Sequence, residues 1–298
     1  MPFLGETMAL GSAVLWAVGV ILFKRVSNEV DPLALNFFKN SLALILYPFT
    51  LLLIGQPILA DVPLKSYILL TVSGILGMGF SDTFFLMGLK KLGAGLQAIV
   101  NTIYAPTVIL LSILILDERL FVFQFVGIAM ILIAVLLVAV KNRSNGTITK
   151  KEFLTGFSYA ILAIISMAIS VIMIKQVMEI SPLIWATQMR VFGGIIFILV
   201  VLLFRKNKKE LLAPLLTKRV LANLVPGSFL GTYITLLLLL GSLKYALASI
   251  STVLNQTSNL FIFVLAVLIL KEPSTPRRWI GIFVGVAGAI LVTFGGEL

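Results

Sequence analysis

A carboxylate inside an apolar run is the residue of this chain best placed to do chemistry. Asp82 stands in GILGMGFSDTFFLMGL with no other charge in the segment. A carboxylate at membrane depth costs about 2.5–3.5 kcal/mol on insertion scales, and Asn or Ser would supply a structural hydrogen bond at lower cost. The chain has no His, the commonest general base and pH switch. Asp82 is therefore the leading candidate for proton or cation coupling. The alternatives are a fixed salt bridge to Arg190 or Lys39, or a cap on an interrupted helix.

Arg190, in SPLIWATQMRVFGG, is a second charge in an apolar run. Its guanidinium is suited to an anionic group such as a carboxylate, or to pairing with Asp82. A third feature is a polar stripe. Gln97, Asn101 and Tyr104 stand at i, i+4 and i+7, the spacing of one helix face. Ser251, Asn255 and Ser258 repeat the pattern, and Thr252, Gln256, Thr257 and Asn259 widen it. Polar faces at membrane depth line a shared water-accessible cavity or make interhelical hydrogen bonds. Trp16, in mid-segment, reads as a cavity wall, and Trp185, near a segment end, as an interfacial anchor. The candidate substrate-binding set is Trp16, Gln97, Asn101, Tyr104, Arg190, Ser251, Asn255 and Gln256, with Asp82 as the coupling residue.

These residues need elements to hold them, and composition says which kind. The 298 residues are 60% hydrophobic and 12% charged, against roughly 25% charged in soluble domains. That polar content cannot coat a water-soluble surface, so this is a membrane protein. The net charge of +11 sits in short loops, where it sets orientation and meets anionic lipid rather than nucleic acid. No Cys is present, which excludes disulfides and thiolate metal sites. The start, MPFLGETMALGS, has no basic n-region or clear cleavage site, so a retained helix is expected there. No nucleophile–base set, metal-ligand cluster or GxxxxGK[ST] loop stands in the chain. Neither an enzyme nor a cofactor is expected.

Spanning the hydrocarbon takes about 20 apolar residues. Ten runs qualify, roughly at 5–26, 33–54, 66–88, 95–116, 121–140, 153–177, 183–204, 219–242, 247–270 and 277–295. The weakest separations are Lys90-Lys91-Leu92-Gly93 and Lys244-Tyr245. The segment from Arg205 to Arg219 reads either as a surface helix with Leu211, Leu212, Leu215 and Leu216 facing the membrane, or as a plain loop.

The chain also repeats itself. Leu89 to Gly127 aligns without a gap on Leu243 to Gly281. Asn101 falls on Asn255, Glu118 on Glu272, Gly127 on Gly281, and Gly77 on Gly231. A repeat of this length marks duplication of a larger unit, with boundaries at 1–144 and 145–298. Five helices per half is an odd number, so the halves enter the membrane from opposite sides. Such an inverted 5+5 repeat is the ground plan of alternating-access transporters, whose site lies near the midplane between halves. The copies differ at Asp82 against Leu236 and at Pro106 against Leu260; Pro106 frees a carbonyl one turn earlier and can kink its helix. Asp117-Glu118-Arg119 and Lys271-Glu272-Pro273 read first as local turn pairs and second as gates. Gly127, Gly281, Gly285 and Gly288 suit close helix packing of otherwise apolar helices five and ten. Those helices are expected at the periphery, in a monomer or a homodimer.

Basic residues concentrate in the loops after odd-numbered helices. Only Lys65, Arg119, Lys175 and Lys244 occupy the others. The positive-inside rule then places the odd loops in the cytoplasm of a cell (plasma) membrane protein and both termini outside. The Asn145-Gly146-Thr147 sequon falls on a cytoplasmic loop and is read as chance.

The pattern resembles the EamA-type members of the drug/metabolite transporter superfamily. The matching residues are Trp16 in SAVLWAVGVILFK, Pro182 and Arg190 in SPLIWATQMR, Pro106 in IYAPTVILLSILILDERL, and Glu118 followed by Gly127, echoed by Glu272 and Gly281. The resemblance covers nearly the whole chain. It implies an all-α membrane protein of ten transmembrane helices. Helices one to four and six to nine would surround a central cavity, with five and ten outside. It implies export or uptake of small metabolites, often amino acids, and cytoplasmic termini, opposite to the charge count. Two departures stand out. Asn40 occupies a place where the first repeat often has Arg. Helix one carries Trp16 where small multidrug transporters of the superfamily carry a Glu. The expected function is a secondary transporter of a small polar metabolite, an amino acid or similar, favouring export and coupled through Asp82. A non-transporting receptor or scaffold, or a lipid-handling protein, is the alternative.

Overall fold

The computed structural model describes residues 3–26, 29–101, 103–139, 150–270 and 276–295. The side chains at 89, 90 and 93–99 and a few others inside helices lie outside that set, as do the 144/145 boundary, the Asn145 sequon and Glu272. Every regular element among the described residues is helical.

The elements are α1 (Leu4–Val26), α2 (Pro32–Leu53), α3 (Leu64–Gly74), α4 (Asp82–Asn101), α5 (Tyr104–Leu116), α6 (Val122–Ala139), α7 (Lys150–Ile180), α8 (Leu183–Leu203), α9 (Lys208–Leu212), α10 (Lys218–Ser228), α11 (Thr235–Tyr245), α12 (Ala248–Asn255), α13 (Ser258–Leu270) and α14 (Pro276–Phe294). Six stretches are long and apolar enough to cross a membrane: Leu4–Val26, Pro32–Leu53, Leu64–Gly88, Lys151–Ile180, Leu183–Leu203 and Lys218–Tyr245. Tyr104–Leu116, Val122–Ala134 and Trp279–Phe294 are shorter apolar helices.

Helix starts follow local chemistry. Asp31 caps α2 by accepting a bond from the Leu33 amide at 2.8 Å, and Pro32 occupies the first turn, where its missing N–H costs nothing. Before α8, Pro182 stands at the N-cap position itself, with no side-chain cap bond.

Two features repeat between the halves. A π segment, Ile75–Ser81, joins α3 to α4, and another, Phe229–Ile234, joins α10 to α11. They begin at equivalent positions of the repeat. A π turn widens the helix and loosens its carbonyls. Here Ser166 Oγ donates to the Leu76 carbonyl at 2.7 Å, Asn36 Nδ2 to Met78 at 3.0 Å, and the Tyr47 hydroxyl to Tyr233 at 2.8 Å. The second repeated feature is a helix break. α4 ends at Asn101 and α5 starts at Tyr104; α12 ends at Asn255 and α13 starts at Ser258. These too are equivalent positions. The first break precedes Pro106, which sits in the opening turn of α5 instead of kinking a continuous helix. The second has no proline. There Thr257 Oγ1 donates to the Leu254 carbonyl at 2.6 Å and Asn259 Nδ2 to Gln256 at 3.2 Å, polar side chains competing for the backbone.

The separation expected at Lys90–Gly93 is not a break in the helix: α4 runs unbroken from Asp82 to Asn101. Ser81 bonds the Ala163 carbonyl and Phe84 meets Tyr159 edge-on at 5.5 Å, so its first part runs antiparallel to α7. Leu92 meets Gly156. Val100 and Tyr104 share a hydrophobic cluster with Ala160 and Ile164 of α7. In the second half the break at Ala246 and Leu247 is real, both residues being extended.

Small residues bring backbones together. A Cβ on Gly231 would lie 2.5 Å from Gly19 Cα, one on Gly193 2.1 Å from the Thr71 carbonyl, and one on Gly288 2.8 Å from the Gly127 carbonyl. The last contact pairs α6 with α14, which present Phe125, Ile133, Phe283 and Ile290 outward. The segment after α8 forms α9 and a 3-10 turn, Ala213–Leu216. Leu211, Leu212 and Leu215 pack into a core with Phe23 and Leu224, whereas Leu216 is exposed.

Candidate functional site

The two helix breaks meet. Gln256, within the second break, donates from Nε2 to the carbonyl of Asn101 at the edge of the first, at 3.1 Å. Asn255 Nδ2 donates to Ser12 Oγ on α1 at 2.7 Å. Ser251 bonds Ser242 within its own half. The Tyr104 hydroxyl interacts with Thr252, so α5 touches α12 through polar groups. The expected single face of Gln97, Asn101 and Tyr104 is not formed, because the helix stops between Asn101 and Tyr104. The Gln97 side chain lies outside the described residues.

Arg190 is 2% exposed. Its Nη2 donates to Ser170 Oγ at 2.9 Å, and its Nε has no partner. Gly77 makes the room: a Cβ there would lie 3.0 Å from Nη2 and 2.5 Å from Ser170 Oγ. In the other half the equivalent glycine, Gly231, closes directly on Gly19. The guanidinium lies within electrostatic reach of Tyr104 and Asp82.

Asp82 pairs with Lys39, at 2.5 Å, with side-chain exposures of 16% and 5%. Of the three readings open from sequence for Asp82, the structure shows the ion pair with Lys39, a residue of α2. Around it, Asn36 Nδ2 also reaches Thr83 Oγ1 at 3.2 Å, and Asn40 Nδ2 donates to Asn36 Oδ1 at 2.9 Å. Sequence reasoning missed Asn36 and Ser170. The i, i+4 spacing of Asn36 and Asn40 was the available signal; Ser170 had none. Beyond this cluster, a cavity of about 460 Å³ lies beside the start of α2, the interior of α4, the first turns of α7 and the end of α8, lined by Asp31, Met87, Lys91, Glu152, Tyr159 and Arg205.

Two expectations change. Trp185 is fully buried, edge-on to Tyr67 at 4.7 Å, so it packs in the core and is no interfacial anchor. Trp16 is half-buried on α1. Glu118 makes no local turn pair. It is 8% exposed and accepts from the Ala248 amide at 2.5 Å, the Ser249 amide at 3.1 Å and Ser249 Oγ at 2.5 Å. It caps α12 from the other half of the chain. The first amides of a helix lack intrahelical partners and carry partial positive charge, so a carboxylate satisfies both needs.

Fold and site together describe a multi-pass membrane protein with a polar seam between two repeated halves. The chain belongs to the EamA-like transporter family, whose model matches residues 3–140 and again 154–294, which makes it a membrane transporter of the drug/metabolite type. A solved structure described as "Crystal structure of protein" is similar over 100% of this chain and 99% of that one, with 16% identity and a TM-score of 0.78; at that identity it speaks to the fold alone. No curated protein sequence matches.

Proposed function

We propose that this chain is a secondary transporter that moves a small polar metabolite, an amino acid or similar, by alternating access. Its halves, 1–144 and 145–298, make ten crossings in opposite orientations and rock about a seam near the midplane. Asn101, Tyr104, Asn255 and Gln256 line the cargo path together with Trp16, Gln97 and Ser251. Arg190 binds a polar group of the cargo. Export is the favoured direction. The observation that carries this reading is the bond from Gln256 in one helix break to the Asn101 carbonyl in the other. Interrupted helices supply backbone groups that ligands can reach, and breaks at equivalent positions of both halves put two such sets at one place.

Asp82 is the coupling group. Its partner, Lys39, competes with a proton or cation for the carboxylate, so loading and ion-pair breaking are linked. A thermal-shift screen of the purified full chain against small metabolites, followed by flux of any stabilising compound into proteoliposomes, tests the transport reading. A stabilising compound that also crosses the bilayer faster with protein than without is expected. Stabilisation without flux would support a receptor, and neither would favour a scaffold or a lipid-handling protein.

A further inference from the structure

Four charged side chains line the cavity beside α2, α4, α7 and α8. Its volume of about 460 Å³ falls in the range of pockets that hold small ligands, roughly 300–1,000 Å³. The start of α2, the first turns of α7 and the end of α8 meet there, so it lies at the level where the helices leave the hydrocarbon. Asp31 and Lys91 come from the first half of the chain, Glu152 and Arg205 from the second. Each half thus gives one acid and one base. Among the described residues, neither Lys91 nor Arg205 is in an ion pair. Asp31 holds the Leu33 amide through Oδ1, and a carboxylate has lone pairs for further donors. Exposed apolar side chains flank the charges along the chain: Phe153 and Leu154 follow Glu152, and Leu203 and Phe204 precede Arg205.

We infer that this cavity seats the headgroup of a zwitterionic phospholipid with a primary ammonium, phosphatidylethanolamine, whose acyl chains lie on the exposed apolar side chains. Lys91 and Arg205 take the phosphate, and Asp31 and Glu152 take the ammonium. Charge complementarity selects that occupant. Two acids and two bases sum to zero. A lipid of net negative charge would satisfy the bases and leave both acids facing a charge of their own sign, which works against binding. The quaternary ammonium of phosphatidylcholine has the right charge but no N–H to give a carboxylate, and charge-assisted N–H bonds are the strong ones. A water-soluble zwitterion would match the charges and leave the flanking apolar side chains unused. Through its phosphate the bound headgroup ties α4 to the end of α8, and through its ammonium the start of α2 to α7. It therefore bridges the two halves at one membrane face. The site uses none of the residues of the seam, so the inference holds whether or not a cargo is carried.

The test uses the purified full chain in a neutral detergent. Melting temperature is read after adding equal mole fractions of dioleoyl phosphatidylethanolamine, phosphatidylcholine or phosphatidylglycerol, and separately after adding free L-alanine. Phosphatidylethanolamine is expected to raise it more than the other two lipids. Lys91→Gln with Arg205→Gln is expected to weaken that lipid on the order of tenfold, read as the lipid fraction that gives half the shift. Glu152→Gln is expected to weaken it too and to narrow the preference over phosphatidylglycerol, because one acid no longer opposes an anion. Lys91, Glu152 and Arg205 are exposed, so the lipid-free variants are expected to melt close to wild type. Equal shifts from the three lipids, the largest shift from phosphatidylglycerol, or a phosphatidylethanolamine response unchanged in the variants would overturn the inference. So would a shift with L-alanine, lost in the variants, where phosphatidylethanolamine gives none; the cavity would then hold a solute. None of these outcomes bears on flux through the protein, so the transporter reading stands or falls separately.

Discussion

At the scale of single residues, the interior is organised by who answers whose charge. Removing one member of a buried ion pair strands the other, at a cost of about 3–5 kcal/mol. Lys39→Met is therefore expected to lower the melting temperature strongly, and Lys39→Met with Asp82→Asn to recover most of the loss; equal destabilisation by the single and double variants would show that the pair is not the reason. Asp82→Asn by itself is expected to keep the fold but abolish gradient-driven accumulation, with unchanged accumulation removing the coupling role. Glu118→Gln weakens a cap that joins the halves and should cost about 1–2 kcal/mol, read as a shift in chemical denaturation; no shift would make the contact incidental. Asp82 and Arg190 were legible in the sequence because charge in an apolar run is conspicuous. Lys39 stood beside Arg190 as an open partner for Asp82, but the choice between them, across 43 positions, and the Ser170 partner of Arg190, 20 positions away, come only from packing.

At the scale of elements, the repeated irregularities do the positioning. The π segments and the paired helix breaks occur in both halves, so they belong to the duplicated unit. Each π segment needs a glycine against a neighbouring helix, but the two contacts differ in kind. Gly231 meets backbone at Gly19, which cannot retreat, while Gly77 meets side-chain ends, the Ser170 hydroxyl and the Arg190 guanidinium, which can shift at the cost of straining their mutual hydrogen bond. Gly231→Ala is expected to cost about 1–3 kcal/mol and Gly77→Ala less, as judged by melting temperature. The reverse order would contradict the packing described. The sequence showed these glycines aligned but not the π turns, because a π turn changes the bonding by one residue and leaves the apolar pattern intact. The same limit explains the polar stripe. A spacing of i, i+4, i+7 assumes one continuous helix, and the break after Asn101 falls inside it.

At the scale of the whole molecule, duplication was the most readable property, since it depends on matching residues and not on their environment. It aligned Gly77 with Gly231 and Asn101 with Asn255 before any contact was known, while the helix breaks beside those asparagines emerge only in the structure. Orientation is a separate question, decided by loop charge. A reporter fused after Leu298 should read outside the cytoplasm if the basic loops face in, and a cytoplasmic signal would reverse the placement of both ends. The central claim is that the seam between the halves opens to each side of the membrane in turn. The chain has no Cys, so a single introduced thiol reports without background. Asn101→Cys in proteoliposomes of defined orientation, challenged with a membrane-impermeant maleimide from one side or the other, measures access to the seam directly. Labelling from both sides is expected, with a stabilising cargo slowing it from at least one. Labelling confined to one side, indifferent to cargo, would contradict alternating access.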